Sequence, residues 1–183
     1  MPDALKFHVY QAFSKSGNGS SEVAIVHAND LQHTEIVKQG IAKKLGYPAT
    51  AFIHKISGNV VTASFYSAKA ELSMCGHGTI GLMTSLLETR RITSNISGKT
   101  RINLKLSIGT TKVEINHHHQ KLPLISLEVQ HPTFRNDQVD ITRLLRILGL
   151  SVTTTLPDYP IKTATGNFVH LIVPLKRLSD MKR

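Results

Sequence analysis

The sequence contains one cysteine, Cys75, and no tryptophan, and aromatic residues make up only 5% of it. A single cysteine allows no disulfide within the chain and is typical of a protein in a reducing compartment. No apolar run reaches the roughly 20 residues that a membrane-spanning helix needs, and the first residues have no secretory pattern. We therefore expect a globular, cytoplasmic protein that does not contact the membrane.

Acidic residues are also scarce, with 12 Asp and Glu against 22 Lys and Arg, which gives a net charge of +10. Proteins that bind nucleic acid usually gather such charge into a stripe, often interleaved with aromatic residues. Here the basic residues stand alone or in pairs such as Lys43-Lys44 and Arg90-Arg91. We therefore predict no nucleic-acid partner, and a surface that favours small anions.

Residues 1–117 form the first predicted domain. Alternating apolar residues and turn signals predict strands at 6–13, 22–27, 51–56, 60–66, 101–108 and 112–116. A helix capped by Asp30 and ended by Gly46 is predicted between the second and third strands. Its apolar stripe consists of Leu31, Ile36, Val37, Ile41 and Leu45.

A second helix is predicted within residues 74–91. Small residues stand on several of its sides, at Gly78, Gly81 and Ser85. A helix without one clear polar face is typically enclosed by other elements. We therefore predict a central helix surrounded by sheet, with Ile80, Met83 and Leu87 almost fully buried.

Residues 118–123 are predicted to be a linker, and residues 124–183 the start of a second, incomplete domain. Strand 124–130, helix 141–148 and strand 168–174 repeat the order of elements that opens the first domain. Asp140 caps the predicted helix and Gly149 ends it. The run His117-His118-His119 reads as a solvated loop, because adjacent side chains point in different directions; we predict no metal site.

The segment that carries chemistry is Met74-Cys-Gly-His-Gly-Thr-Ile-Gly81. A strand that passes through glycines into a helix leaves the backbone N–H groups of Gly76, His77 and Gly78 unpaired, and with the helix dipole they favour a carboxylate or phosphate. The same position favours the thiolate of Cys75, as a nucleophile or proton-abstracting base requires. His77 can exchange a proton near neutral pH. The alternative is that Cys75 is a small buried hydrophobe and His77 a structural residue.

Several segments, in matching order, resemble the phenazine biosynthesis-like (PhzF-like) family. They are Phe13…Ser16-Gly-Asn-Gly19 with Val23–Val26, the segment Ile41–Phe52, Phe65-Tyr-Ser…Glu71-Leu…Cys75–Gly81, Leu144–Leu150, and Gly166…His170–Pro174. The segment Met74–Gly81 is also similar to the central motif of proline racemases and hydroxyproline epimerases.

The resemblance implies an α/β (α+β) fold of the diaminopimelate epimerase type, in which a curved mixed sheet wraps around a central helix. It implies isomerisation or racemisation of small carboxylated molecules by proton movement, without a cofactor, in a homodimer. His77 matches the family's active-site histidine. Gly76 and its neighbours Gly78 and Thr79 match the anion-binding helix start, and Gly17-Asn18 match a loop near the pocket.

Two departures from the family pattern leave two hypotheses for function. Ala49 stands where PhzF-like isomerases carry a proton-transferring Glu, and the racemases pair the equivalent of Cys75 with a second cysteine that this chain lacks. One hypothesis is an isomerase or epimerase that uses Cys75 and His77. The other is a non-catalytic relative that binds small anions or acts as an interaction domain.

Overall fold

The computed structural model describes residues 5–14, 19–27, 34–93, 98–116, 122–136 and 139–181. The chain divides into two compact units, Met1–Glu128 and Val129–Arg183. The described part of the first unit has strands β1 (Phe7–Ala12), β2 (Ser21–His27), β3 (Ala49–Ser57), β4 (Val60–Tyr66), β5 (Glu71–Leu72), β6 (Lys99–Leu106), β7 (Gly109–Asn116) and β8 (Leu124–Leu127), with helices α1 (Glu35–Leu45) and α2 (Gly76–Glu88).

Among the described residues, these strands form one eight-stranded sheet in the order β1-β2-β3-β4-β6-β7-β8, with β5 also paired to β4. The β2–β3 and β4–β6 pairs are parallel, and the other pairs are antiparallel. Parallel neighbours need a crossover connection, and here each crossover contains a helix. Helix α1 connects β2 to β3, and α2 lies between β4 and β6 in the chain.

The sheet curves around α2. Strands β1 and β8 stand at opposite ends of the strand order, yet both contact this helix. Gly81 is buried against Val23 and Tyr10 so closely that a Cβ there would overlap Val23 Cγ1 and lie 3.2 Å from Tyr10 Cβ. The prediction of a central helix enclosed by sheet is therefore confirmed, and the small residues make the close approach possible.

Burial along α2 follows the predicted pattern only in part. Leu82, Met83 and Leu86 are fully buried, but Ile80 and Leu87 are half-buried. The prediction of near-complete burial is therefore confirmed for Met83 and wrong for the other two. Leu87 still packs against the core that surrounds α2.

Helix α1 packs on the opposite face of the sheet, where Ala42 joins Val26, Phe52 and Tyr66. Gly46, at φ 73°, ends the helix as predicted. Thr34 caps its start by accepting a hydrogen bond from the backbone N–H of Val37 at 3.4 Å, and the predicted cap Asp30 lies outside the described residues. The predicted apolar stripe is wrong at Ile36 and Val37, which are 85% and 44% exposed, because other residues of the helix, Lys38 and Ala42, meet the sheet at Tyr66.

Strand β3 contains a bulge. Ile53 is paired with Ala63, but the next pair is Lys55 with Thr62, so His54 is an extra residue without a partner in the ladder. The bulge lets both Ile53 and Ile56 pack against the core that surrounds α2. The hairpin between β3 and β4 turns at Gly58, with φ 57°, as predicted.

Strand β8 belongs to the first unit. It was predicted to open the second domain, but it pairs antiparallel with β7, with Ile125 opposite Ile115 and Leu127 opposite Val113. Ile125 and Leu127 pack against the core of the first unit. The observed division therefore falls after Glu128, rather than at the predicted linker 118–123, whose residues 118–121 lie outside the described ones.

The described part of the second unit contains β9 (Thr133–Arg135), α3 (Ile141–Ile147), β10 (Lys162–Thr165) and β11 (Val169–Ile172), with short 3-10 helices at Val152–Thr154 and Leu178–Met181. Its three strands form a sheet in the order β11-β10-β9. Asp140 caps α3 by accepting from the backbone N–H of Arg143 at 2.9 Å, and Gly149 follows the helix at φ 67°, both as predicted. Leu145 is buried.

Candidate active site at the start of helix α2

The start of α2 is positioned by the short strand before it. Strand β5 returns beside β4, with Leu72 opposite Phe65. The chain then passes through Met74, which is buried, to Cys75, whose extended backbone (φ −147°, ψ 108°) makes it the N-cap residue of α2. The helix therefore begins under the curved sheet, with its first turn next to β4.

Two backbone donors are free in this first turn. Thr79 makes the first helical hydrogen bond, from its N–H to the Cys75 carbonyl at 2.8 Å. The N–H groups of Gly76 and His77 have no hydrogen-bond acceptor within the described ranges. A Cβ added to Gly76 would meet no atom within 4 Å. These free donors, together with the positive end of the helix dipole, can hold a carboxylate.

The side chains of Cys75 and His77 are in contact. The Cys75 Sγ atom lies 3.6 Å from His77 Nδ1 and 3.7 Å from Nε2. Cys75 is 5% exposed, and His77 is half-buried. The structure thus brings together the two side chains that the sequence singled out for proton transfer, within hydrogen-bond distance for a sulfur atom.

Burial sets the charge of this pair. It raises the pKa of the Cys75 thiol, and a hydrogen bond from the backbone N–H of Gly78 opposes the rise only in part. Burial also lowers the pKa of His77. Of the two expectations for Cys75, a thiolate favoured by the helix start and a small buried hydrophobe, its burial and raised pKa agree with the second. At neutral pH the pair consists of a thiol beside a neutral imidazole.

Gly78 and Thr79 face inward. The backbone N–H of Gly78 acts on the Cys75 sulfur, and the Thr79 hydroxyl, which is fully buried, donates to the Cys75 carbonyl at 2.8 Å. Both residues therefore hold Cys75 in place, and the prediction that the N–H of Gly78 is unpaired is wrong, because the Cys75 sulfur accepts from it. The predicted Gly17 and Asn18 lie outside the described residues, as does the histidine run 117–119.

Ala49 is fully buried at the start of β3 and belongs to the same apolar core as Cys75. No proton carrier stands there, as the sequence indicated. Phe65, also in this core, was quoted in the sequence motif but not predicted as a site residue. No sequence signal distinguishes it from the other phenylalanines, since its place beside Cys75 depends on the return of β5.

The fold and the site together define an α+β protein of the diaminopimelate epimerase type, with a Cys–His pair at the start of its central helix. A PhzF-family phenazine biosynthesis protein from Bacillus anthracis has the same fold, with a TM-score of 0.82 and 24% identity over 98% of this chain and 58% of that one. The profile of the phenazine biosynthesis-like protein family matches residues 10–183, and the chain belongs to this family. The resemblance seen in the sequence is confirmed.

Several relatives have names that describe an activity, and two of them serve as examples. An uncharacterized isomerase of Bacillus subtilis, YfhB, is 29% identical over 175 residues, which cover 95% of this chain and 57% of the relative. The 4-hydroxyproline epimerase of Brucella ovis is 30% identical over 125 residues, which cover 66% of this chain and 33% of the epimerase. The chain thus spans little more than half the length of the isomerase relative. No helix among its described residues is long and apolar enough to cross a membrane.

Proposed function

We propose that the start of α2 is the proton-transfer site of an isomerase or epimerase that acts, without a cofactor, on a small carboxylated molecule. The observation that carries the proposal is the contact of Cys75 Sγ with the His77 ring at 3.6 Å, beside the free N–H groups of Gly76 and His77. The isomerase and epimerase names of its relatives support the reaction class.

The substrate carboxylate binds the N–H groups of Gly76 and His77. The substrate carbon that is bonded to this carboxylate then lies beside the same turn of α2. The negative charge that develops when this carbon loses a proton spreads onto the carboxylate, where the helix start stabilises it. Gly17 and Asn18 are the proposed further contacts, and Gly78 and Thr79 contribute by holding Cys75.

The proton moves in two steps. The neutral His77 accepts the thiol proton of Cys75, and the resulting thiolate removes a proton from the substrate carbon, whose C–H electron pair enters the carboxylate-conjugated system. Return of a proton to another carbon of that system gives an isomer. Return to the opposite face of the same carbon gives an epimer, which needs a second donor.

Exchange of substrate C–H protons with solvent tests this proposal. L-proline, 4-hydroxy-L-proline and a set of unsaturated carboxylic acids are incubated with the protein in deuterated water, and deuterium uptake is followed by NMR and mass spectrometry. We expect uptake into at least one compound, and a loss of about 100-fold or more in Cys75→Ser and His77→Gln.

The matched control is His54→Gln. His54 lies on the first unit's sheet and donates to or accepts from Ser64 Oγ at 2.8 Å, and glutamine can keep that hydrogen bond. This variant should retain full exchange. Equal exchange rates in the protein and in both site variants would contradict the proposal.

The second candidate is a non-catalytic anion-binding or interaction domain, which the methyl group of Ala49 favours. It predicts that carboxylates shift the NMR signals of Gly76 and His77 while no C–H proton exchanges, and that Cys75→Ser binds them as well as the unaltered protein. We also propose a cytoplasmic location and a homodimer.

A further inference from the structure

Phe65 is packed at the first turn of α2. It lies on β4, directly opposite Leu72 of β5, and is fully buried. A Cβ built on Gly78 would stand 2.8 Å from Phe65 Cδ1 and equally 2.8 Å from Cys75 Sγ. The ring and the thiol therefore both border the space that the missing side chain of Gly78 leaves open.

This arrangement restricts the position of the Cys75 sulfur. The Phe65 ring and Gly78 bound it on the inner side, and the His77 ring stands 3.6 Å away. Sulfur beside an aromatic ring is a favourable contact. The ring also fills the space in which water would otherwise solvate the thiolate.

We infer that Phe65 is a positioning residue for Cys75, which holds the thiol away from water and against His77. A catalytic role for Phe65 rests on the proposed function, but its effect on the Cys75 thiol can be measured without any substrate. In this inference Phe65 binds no part of the substrate. It acts only through Cys75.

Alkylation with iodoacetamide tests the inference without any substrate. Cys75 is the only cysteine of the sequence, so the rate of modification as a function of pH reports its thiolate directly. Replacing the ring by a smaller aliphatic group, in Phe65→Leu, admits water. We expect the alkylation profile to move to lower pH, with a rate at neutral pH that rises by roughly threefold or more.

The matched control is Phe52→Leu. Phe52 is equally buried, on the neighbouring strand β3, but it packs on the α1 face with Tyr66. Its loss should cost similar stability and leave the pH at half-maximal rate unchanged. A general loosening of the fold should affect both variants alike, so a shift confined to Phe65→Leu is an effect on the thiol itself.

A second pair of variants covers the case in which Phe65→Leu does not fold. Gly78→Ala adds a methyl group between ring and thiol, whereas Gly76→Ala, two residues earlier, adds one in open space. Only the first should shift the alkylation profile. An identical profile in Phe65→Leu and Phe52→Leu, or in the two alanine variants, would overturn the inference. Proton exchange that survives in Cys75→Ser would instead overturn the proposed function and leave this result standing.

Discussion

His27 Nε2 lies 2.9 Å from Ser85 Oγ, although 58 residues separate the two in the chain. The Arg91 guanidinium lies on the other side of the ring, with Nη1 3.1 Å from Nδ1. Because a guanidinium can only donate, Nδ1 accepts and the proton resides on Nε2, which donates to Ser85. A neutral histidine thus ties the end of β2 to the second half of α2.

Acidification should therefore weaken the fold through His27. Burial lowers its pKa, and the charges of Arg91 and His8 lower it further, from an ordinary value of 6.5. The stabilisation is complete above that value and is lost as the pH falls through the lower pKa of the folded state, since the unfolded chain then binds more protons.

Urea unfolding at a series of pH values measures this loss. His27→Gln keeps a donor for Ser85 and cannot be protonated, so its free energy of unfolding should fall less steeply on acidification than that of the unaltered protein. Part of the fall should remain, because burial also lowers the pKa of His54 and His77. The same slope in both proteins would show that His27 is not the group responsible.

The same substitution should have opposite effects at two fully buried threonines. Thr50 Oγ1 is buried without a hydrogen-bond partner among the described residues, so Thr50→Val should raise the free energy of unfolding by about 1 kcal/mol. Thr79 Oγ1 donates to the Cys75 carbonyl, so Thr79→Val should lower it by about 1 kcal/mol. Denaturant titration of both variants checks the signs, and a loss in Thr50→Val would mean that the hydroxyl is satisfied.

Alanine should be tolerated at one helical glycine and not at another. Gly81 touches Val23 and Tyr10, and a methyl group there has no space, so Gly81→Ala should destabilise by about 1–3 kcal/mol. Gly40 in α1 has nothing within 4 Å, and Gly40→Ala should stabilise by about 0.5–1 kcal/mol. Thermal unfolding of the two variants measures both effects. Similar unfolding midpoints in the two variants would mean that α2 is not tightly enclosed.

The proposed homodimer is expected to involve strand β11. Within the described part of the chain this strand pairs only with β10, and Val169, Leu171 and Ile172 on it are exposed. An open strand edge with apolar side chains favours pairing with a second copy. Sedimentation at tens of micromolar should show a dimer that Val169→Lys weakens, while Val152→Lys, at an exposed site off the sheet, does not. A stable monomer would contradict the prediction.

Local sequence patterns predicted much of the fold. Strand β4 spans 60–66 as the alternation predicts, and Asp140 caps α3 as its position indicates. Gly46 and Gly58 adopt the positive φ that their turns require. Each of these depends on a few neighbouring residues, which is why the sequence alone sufficed.

The misplaced features depend on distant residues. The pattern of β8 shows a strand but not its partner β7. The stripe of α1 shows apolar residues but not which of them face the sheet. At Cys75 the sequence indicated both a helix start that favours a thiolate and a small buried hydrophobe, and could not decide between them. The fold class, the central helix and the Cys75–His77 pair were predictable; the protonation of the pair and the role of Phe65 were not.

Because of the bulge, β3 contains one residue, His54, that its pairing with β4 does not use. Deleting a residue elsewhere in a core strand would turn every following side chain to the opposite face. Deleting His54 would leave each existing pair with β4 in place, from Ile53 with Ala63 to Lys55 with Thr62 and onward. A shortened chain without His54 should therefore still fold, so this position can gain or lose a residue in evolution when its neighbours in β3 cannot.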